Sequence, residues 1–172
     1  MKKLIAILTL LCVMLMPFAV TAEAVTWAEV GGALVEKLDL AGDFVALKEM
    51  GLALWLPEGM EAYEPSEEDA AAGRYLIFTD GECTLTIDAV NVEGMTLDQA
   101  KENAVANGMF EPEIVNINGL DVLAYKDEAN NAGVLVLVDT NCNLIIFSFT
   151  PIDSEEAEIA FGVISSSLMP QE

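Results

Sequence analysis

The sequence lacks most of the side-chain chemistry on which enzymes commonly depend. Its 172 residues include 29 aspartates and glutamates but no histidine. Histidine is the usual general base and a common metal ligand, and it activates the nucleophile of many serine and cysteine hydrolases. The common glycine-rich phosphate-binding motifs are also missing from the sequence. Carboxylates are therefore the remaining candidates for catalysis, in paired acid and base roles such as those of glycoside hydrolysis.

Three residues have the spacing of the first ligands in a calcium-binding loop. Asp139, Asn141 and Asn143 alternate as the first ligands of a calcium-binding loop do. Such a loop then requires a glycine and a bidentate glutamate, but Leu144 and Thr150 occupy those two positions. The flanking residues also predict strands rather than helices. We interpret this segment as a β-turn, and we assign no catalytic, cofactor-binding or metal-ligating residue from the sequence.

The N-terminal segment predicts a secretory signal peptide. Residues 1–3 carry two lysines, residues 4–20 form an apolar run, and a small residue, Ala22, suits cleavage. We expect residues 1–22 to be removed and residues 23–172 to form a single domain in a secreted, extracellular or cell-envelope location. Retention of the segment as a membrane anchor is the alternative.

The remaining chain is strongly acidic. Removal of residues 1–22 leaves 150 residues with 5 basic and 29 acidic side chains, a net charge of −24. This charge repels nucleic acid and anionic membrane surfaces, so we expect neither as a partner. Because hydrophobic residues make up 53% of the sequence, the chain is long and apolar enough to fold around a core. The expected partner is a protein or a cell-envelope component whose identity the sequence leaves open.

Two cysteines, Cys83 and Cys142, remain after cleavage. Secretion exposes a protein to conditions in which disulfides form, so a bridge between them is one alternative. Two free thiols are the other alternative. A bridge requires the two Cα atoms to come within roughly 7 Å, and sequence does not fix that distance.

Residues 113–149 hold most of the strand-forming apolar residues, and we expect the rest of the chain to pack against them. Three short runs, at 120–126, 133–139 and 144–149, are separated by Asn, Asp and Gly, which predicts an antiparallel meander. Positions 134–138 are all apolar. Because strand side chains alternate between faces, both faces of this strand must be covered.

Two hairpins are predicted before the meander. Residues 44–48 and 51–56 flank one short turn, and residues 74–79 and 82–90 flank an Asp-Gly turn. Apolar and polar residues alternate in the last of these strands, so only one of its faces is strongly apolar.

The segment between the hairpins, residues 58–73, is acidic and predicted to be irregular apart from a capped helical turn at Ser66. Long loops in compact domains are often functional. We expect Tyr63 and the loop around it to form the contact surface if this segment has a partner. A solvated acidic loop explains the same residues.

Three amphipathic helices are predicted from capping residues and apolar stripes. The first begins at Thr26 with Trp27 as a core anchor, the second begins at Thr96, and the third begins at Asp153 and runs to about Leu168. The predicted apolar side of the second helix consists of Leu97, Ala100, Ala104 and Val105. Together the elements predict an α+β fold, an antiparallel β-sheet covered by helices on both faces as an α/β/α sandwich.

Four segments carry a family resemblance: residues 54–60 (LWLPEGM), 96–100 (TLDQA), 117–125 (INGLDVLAY) and 164–168 (ISSSL). They resemble the PsbP-like superfamily, the fold of the extrinsic photosystem II subunit, and look especially like its small secreted bacterial members whose role is not established. The resemblance covers most of residues 23–172. It implies an antiparallel sheet between helices and an accessory or binding role rather than catalysis.

Two functions are compatible with these features. The leading hypothesis is a non-enzymatic secreted or surface-associated domain that binds a protein or cell-envelope partner. The alternative is an extracellular hydrolase based on carboxylates, which requires two of them about 5–10 Å apart in a cleft. Acidic groups dispersed over a convex surface favour the binding domain.

Overall fold

The computed structural model describes residues 24–92, 94–139 and 143–171. Within these ranges the chain forms a three-stranded and a seven-stranded sheet, each with antiparallel strand pairing, together with α-helices. The predicted α+β class with antiparallel strands is therefore confirmed. The predicted signal peptide, residues 1–22, lies outside the described residues, as do Asn141 and Cys142.

The strands are β1 Gly42–Leu47, β2 Leu52–Pro57, β3 Glu61–Tyr63, β4 Arg74–Thr79, β5 Thr84–Asn91, β6 Phe110–Ile117, β7 Leu120–Asp127, β8 Ala132–Val138, β9 Asn143–Thr150 and β10 Met169–Pro170. The α-helices are α1 Gly31–Leu38, α2 Glu67–Ala71, α3 Leu97–Ala106 and α4 Glu155–Ser167, and a 3₁₀ turn covers Lys48–Met50. None of the helices in the described ranges is long and apolar enough to cross a membrane.

The seven-stranded sheet has the order β3-β4-β5-β9-β8-β7-β6, so the predicted meander is confirmed in β7, β8 and β9. Strand β8 is buried along nearly its whole length. Its alternate residues enter two different apolar clusters, Leu135 and Leu137 in one and Val134 and Val136 in the other. Because alternate residues point to opposite faces, both faces of β8 are covered, as predicted.

We call the side of this sheet that carries Leu85, Leu135 and Phe147 the closed side. These residues share the largest apolar cluster with Leu54 of β2 and Ile164 of α4. Both predicted hairpins are confirmed, as β1 with β2 and as β4 with β5. The first hairpin belongs to the three-stranded sheet, where β10 pairs with the other edge of β2.

The opposite side of the sheet, which we call the open side, carries Leu123, Val136, Thr86 and Ser148. Helix α3 contacts β6, β7 and β8, and its Ala100 packs into the same cluster as Leu123 and Val136. Thr86 and Ser148, on β5 and β9, are only partly buried. The apolar cover on this side is therefore centred on the β6–β8 half of the sheet.

The first helix begins later than predicted. The Thr26 hydroxyl donates to a Glu29 carboxylate oxygen at 2.6 Å instead of capping the helix, which begins at Gly31. The Trp27 backbone N–H donates to Asn118 Oδ1 at 2.7 Å, and the Trp27 ring lies where a Cβ on Gly31 would be. The tryptophan therefore packs in the core with Leu34 of the helix, as predicted for an anchor, but Trp27 itself belongs to the turn before the helix.

The capping box of α3 is confirmed, because Thr96 and Gln99 each accept a hydrogen bond from the other's backbone N–H. The expectation that Val105 lies on the apolar side of α3 is wrong. Val105 is 58% exposed, whereas Ala100 and Ala104 are buried. At 3.6 residues per turn, a residue one position after Ala104 is rotated well away from the face that Ala100 and Ala104 share.

Helix α4 runs to Ser167, with Leu168 as its C-cap, close to the predicted end. Its predicted N-cap, Asp153, is wrong by one residue. Ser154 is the N-cap, and its Oγ accepts a hydrogen bond from the Ala157 backbone N–H at 3.1 Å. Ser154 lies three residues before Ala157, so its hydroxyl reaches the backbone N–H of the third helical residue. The Asp153 side chain does not cap that N–H.

Candidate functional site

A groove lies on the open side, between α3 and the seven-stranded sheet. Its volume is about 380 Å³, within the range of roughly 300–1,000 Å³ that is typical of small-molecule sites. The residues that line it come from α3, from the segments on either side of α3 and from β7, β8 and β9. They are Met95, Ala100, Asn103, Ala104, Asn107, Met109, Leu123, Tyr125, Asp127, Val136, Leu144 and Ile146.

A second space lies on the closed side and belongs to the core. It is lined by apolar residues such as Leu54, Leu135 and Phe161, and it measures only about 10 Å³. That volume is close to the minimum that holds a single water molecule. The groove is therefore the better candidate for a ligand.

The floor of the groove is apolar. Leu123 pairs with Val136, and Val136 pairs with Ile146, so three side chains lie next to one another across β7, β8 and β9. Leu144 lies two residues before Ile146 and so shares its face. Leu123 and Val136 are buried, whereas Leu144 and Ile146 remain partly exposed. The floor thus becomes more accessible toward β9.

Helix α3 forms the wall of the groove. Ala100, Asn103, Ala104 and Asn107 recur at intervals of three and four residues, which places them on one face of the helix. The two alanines pack on the sheet but are too small to fill the space above it. Gly108, with φ +75°, ends the helix just after this face.

Polar groups gather at one end of the groove. Tyr125 and Asp127 follow Leu123 at two-residue intervals and share its face of β7. Burial raises the pKa of the Tyr125 hydroxyl, and the Asp127 carboxylate raises it further. The hydroxyl therefore stays protonated at neutral pH and is available as a hydrogen-bond donor.

The Asp127 carboxylate is held by the turn that follows it. It accepts hydrogen bonds from the backbone N–H of Asn130 at 3.1 Å and from the Asn130 amide at 2.7 Å. This turn joins β7 to β8, which pair as predicted for the meander. The turn fixes a negative charge at the polar end of the groove.

The described lining of the groove contains a single carboxylate. It belongs to Asp127, whereas glycoside hydrolysis requires two carboxyl groups about 5–10 Å apart. Across the described part of the chain, no three Cys, Asp or Glu residues converge as ligands for a metal ion.

Tyr63 lies away from the groove, on the same side of the sheet. It belongs to β3, a short edge strand that the sequence did not predict, and it pairs with Ile77 of β4. Its side chain is 49% exposed, and its hydroxyl donates to Glu61 at 3.2 Å. This hydrogen bond and the charge of Glu61 raise the pKa of the Tyr63 hydroxyl. A role for Tyr63 in partner contact stays a prediction.

Asp139 follows β8 and Asn143 begins β9, at the two ends of the segment with calcium-like spacing. Asp139 accepts hydrogen bonds from the backbone N–H of Asn143 at 2.8 Å and from the Asn143 amide at 2.9 Å. Asn141 lies outside the described residues, so the β-turn interpretation stays a prediction.

Cys83 is a free thiol, and Cys142 lies outside the described residues. Cys83 comes directly before Thr84, the first residue of β5. Asn143, the chain neighbour of Cys142, pairs with Asn91 at the other end of β5.

Sequence reasoning did not identify the groove, although α3 carried a sign of it. Two asparagines, Asn103 and Asn107, follow Ala100 and Ala104 at helical spacing and are exposed. Small side chains such as the two alanines leave space at a helix–sheet interface that larger side chains would fill. Which strands lie beneath the helix depends on sheet order, which the local pattern does not specify.

No protein-family model matches the chain, and no curated protein matches it. Among solved structures, the chain is similar to the solution structure of cyanobacterial PsbP (CyanoP) from Synechocystis sp. PCC 6803, with a TM-score of 0.52 and 16% sequence identity. The similarity covers 76% of this chain and 93% of the cyanobacterial chain. At this identity the likeness establishes the fold. The chain has a PsbP-like fold, which confirms the resemblance predicted from its four segments.

Proposed function

We propose that the chain is a secreted or surface-associated, non-enzymatic binding domain that holds its partner at the groove beside α3. The observation that carries this proposal is the groove, in which an apolar floor meets the polar side chains of Tyr125 and Asp127 at one end. A few polar groups at the edge of an apolar concavity are typical of a binding site.

The alternative of a carboxylate-based hydrolase has less support. Asp127 is the one acidic side chain among the described residues that line the groove, whereas such chemistry needs a second carboxyl group. The PsbP-like fold also favours an accessory role. Hydrolysis of a glycoside by the purified domain, with loss of activity in Asp127→Asn, would reverse this preference.

The proposed location outside the cytoplasm is supported by the sequence of residues 1–22. The proposed partner is a protein or a cell-envelope component, because a net charge of −24 on residues 23–172 disfavours nucleic acid and anionic membranes. Mass spectrometry of the protein from its native host tests export. A mature chain beginning at Glu23 or Val25 supports it, and intact Met1 in the membrane fraction contradicts cleavage.

We also propose that the layers form an α/β/α sandwich, with α3 and α4 as the outer layers. Support comes from Ala100 of α3, which packs with Val136, and from Ile164 of α4, which packs with Leu135. The three-stranded sheet shares the closed side with α4, so the helix covers that side only in part. An experimental structure with α3 and α4 on one side of the sheet would contradict the proposal.

A substitution that fills the groove tests whether the groove is the contact site. Asn103 is exposed on the groove face of α3, so Asn103→Phe adds bulk there without disturbing the core. Val105→Phe is the matched control, because Val105 is 58% exposed and lies outside the groove lining. Immobilised residues 23–172 and both variants are incubated with envelope and secreted fractions of the native host.

We expect a component that the unmodified domain and Val105→Phe retain equally and that Asn103→Phe retains at least tenfold less. Tyr63→Ala is a further arm. Loss of the component in Tyr63→Ala, with full retention in Asn103→Phe, would move the contact site from the groove to β3.

A further inference from the structure

We infer that the groove beside α3 binds a single elongated amphiphile, with its apolar chain along the sheet and an uncharged or cationic head group at the Tyr125 end. The inference rests on the proposed function, because it names a chemical class of partner for the same groove. Shape, lining and charge support it separately.

The groove is long. Asp127 at one end pairs with Ala132, and Leu144 at the other end pairs with Val138, six residues further along β8. Six residues at about 3.3 Å each span roughly 20 Å along the sheet. The volume of about 380 Å³ lies along that length, so an extended ligand can contact both ends of the groove.

The polarity of the lining changes along the length of the groove. Leu144 and Ile146 of β9 and Met95 before α3 supply an apolar end. Met109 lies after α3, and both methionines have flexible thioether side chains that adapt to irregular apolar ligands. An alkyl chain that lies along the floor therefore contacts apolar side chains and buries no polar group of the protein.

The other end selects the head group. The Tyr125 hydroxyl can donate, and the side-chain amides of Asn103 and Asn107 offer further donors and acceptors. One of these donors is in use, since Asn107 Nδ2 donates to the Asn103 carbonyl at 2.8 Å. The Asp127 carboxylate attracts an ammonium group and repels a carboxylate or sulfate. The net charge of −24 on residues 23–172 acts in the same direction. Charge complementarity thus favours an uncharged or cationic head group.

The test uses residues 23–172 and the uncharged fluorophore N-phenyl-1-naphthylamine at physiological salt. We expect a saturable rise in fluorescence with one site per chain. Dodecylammonium should displace the fluorophore at a concentration at least tenfold lower than dodecanoate, with both below their micelle concentrations. Butylammonium has the same charge without the chain, so it reports diffuse attraction to the acidic surface and should not displace the fluorophore.

Asn103→Phe should weaken fluorophore binding at least tenfold, and Val105→Phe should leave it unchanged. Thermal melting of both variants verifies that each is folded. Asp127→Asn should reduce the preference for dodecylammonium over dodecanoate while fluorophore binding persists. Equal binding by Asn103→Phe and Val105→Phe, or equal displacement by the two dodecyl compounds, would overturn the inference.

Failure of this inference is distinguishable from failure of the proposed function. If no amphiphile binds in the groove but Asn103→Phe still loses the retained host component, the inference fails and the proposed function stands. If the amphiphile binds as expected but retention of host components is the same in Asn103→Phe, the inference stands and the groove is not the site of macromolecular contact.

Discussion

The two sides of the seven-stranded sheet show how one set of strands separates stability from binding. On β5, Leu85 and Ile87 are 2% and 0% exposed on the closed side, whereas the intervening Thr86 is only partly buried on the open side. The same alternation occurs on β9, where Phe147 is buried and its neighbour Ser148 is not. The closed side supplies most of the core, and the open side carries the accessible surface.

The difference lies in what packs against each side. The closed side receives Leu54 from the three-stranded sheet and Ile164 from α4, both at least 95% buried. The open side receives the small side chains of Ala100 and Ala104 from α3, and the groove is the space that these alanines do not fill. A change on the closed side should therefore affect folding, and a change on the open side should affect binding.

The largest expected effect separates two adjacent residues of β5. Ile87→Ala on the closed side should lower the free energy of unfolding by about 2–5 kcal/mol, because it deletes buried methyl groups and leaves a cavity. Thr86→Ala on the open side should change it by roughly 0.5 kcal/mol or less. Urea unfolding of residues 23–172 measures both. Equal losses in the two variants would show that the sides do not differ as described.

A smaller effect concerns a buried hydroxyl between α4 and β2. Ser167 is 0% exposed, and its Oγ accepts a hydrogen bond from the Trp55 backbone N–H at 2.8 Å and donates to the Ile164 carbonyl at 2.6 Å. Ser167→Ala leaves the Trp55 N–H buried without this partner, so we expect a loss of about 1–3 kcal/mol in urea unfolding.

The control for Ser167 is Ser148→Ala, a change of the same atoms at a partly exposed position of the open side. Ser148→Ala should leave the free energy of unfolding almost unchanged. A neutral Ser167→Ala would mean that water or a shifted backbone replaces the lost hydroxyl.

The strands were largely predictable because their apolar runs and turn residues are local features. The Asp-Gly turn before β5 is an example of such a local feature. Asp80 Oδ1 accepts hydrogen bonds from the backbone N–H groups of Glu82 and Cys83, two and three residues further along the chain. The N-cap of α4 was missed by one residue because Asp153 and Ser154 are both good caps. Tertiary packing decides between two such neighbours.

The groove was less predictable because it depends on which distant elements meet. The pairing of Ile146 with Val136 belongs to the predicted meander. The insertion of β9 between β5 and β8 and the contact of α3 with β6, β7 and β8 join segments that are distant in sequence. Nothing near Asn103 in the sequence indicates which strands α3 contacts. The late start of α1 has a similar cause, because Asn118, 91 residues away, holds the Trp27 backbone.

A still smaller effect concerns an ion pair on the open side. Arg74 Nε lies 2.9 Å from Asp88 Oδ1, and the two side chains are 33% and 23% exposed. Because solvent screens such a pair, a double-mutant cycle with Arg74→Met and Asp88→Asn should give a coupling energy of about 0–1 kcal/mol. The coupling should fall further in 1 M NaCl. A salt-independent coupling of several kcal/mol would place this pair in the core rather than on an accessible surface.

The smallest expected effect on stability is that of removing Cys142, the second cysteine of residues 23–172. From Thr84, next to Cys83, to Asn91, the partner of Asn143, β5 spans seven residues, or roughly 23 Å, whereas a bridge needs Cα atoms within roughly 7 Å. Cys142→Ser should therefore leave the free energy of unfolding nearly unchanged, whereas loss of a native disulfide costs about 2–5 kcal/mol. Two titratable thiols per unmodified molecule of residues 23–172 are expected under denaturing, non-reducing conditions.

The Cys142→Ser variant also isolates Cys83, whose reactivity should depend on folding. Burial raises the pKa of the Cys83 thiol, and the carboxylates of Asp80, Glu82 and Asp153 raise it further. The folded chain therefore holds this proton to higher pH than the unfolded chain, and stability falls as the pH rises from the unfolded pKa to the folded one. Since the thiolate is the reactive form, iodoacetamide at pH 8 should alkylate Cys83 more slowly in native protein than in urea. Equal alkylation rates in native protein and in urea at every pH tested would contradict this prediction. They would show that Cys83 is accessible to solvent and that folding does not raise the pKa of its thiol.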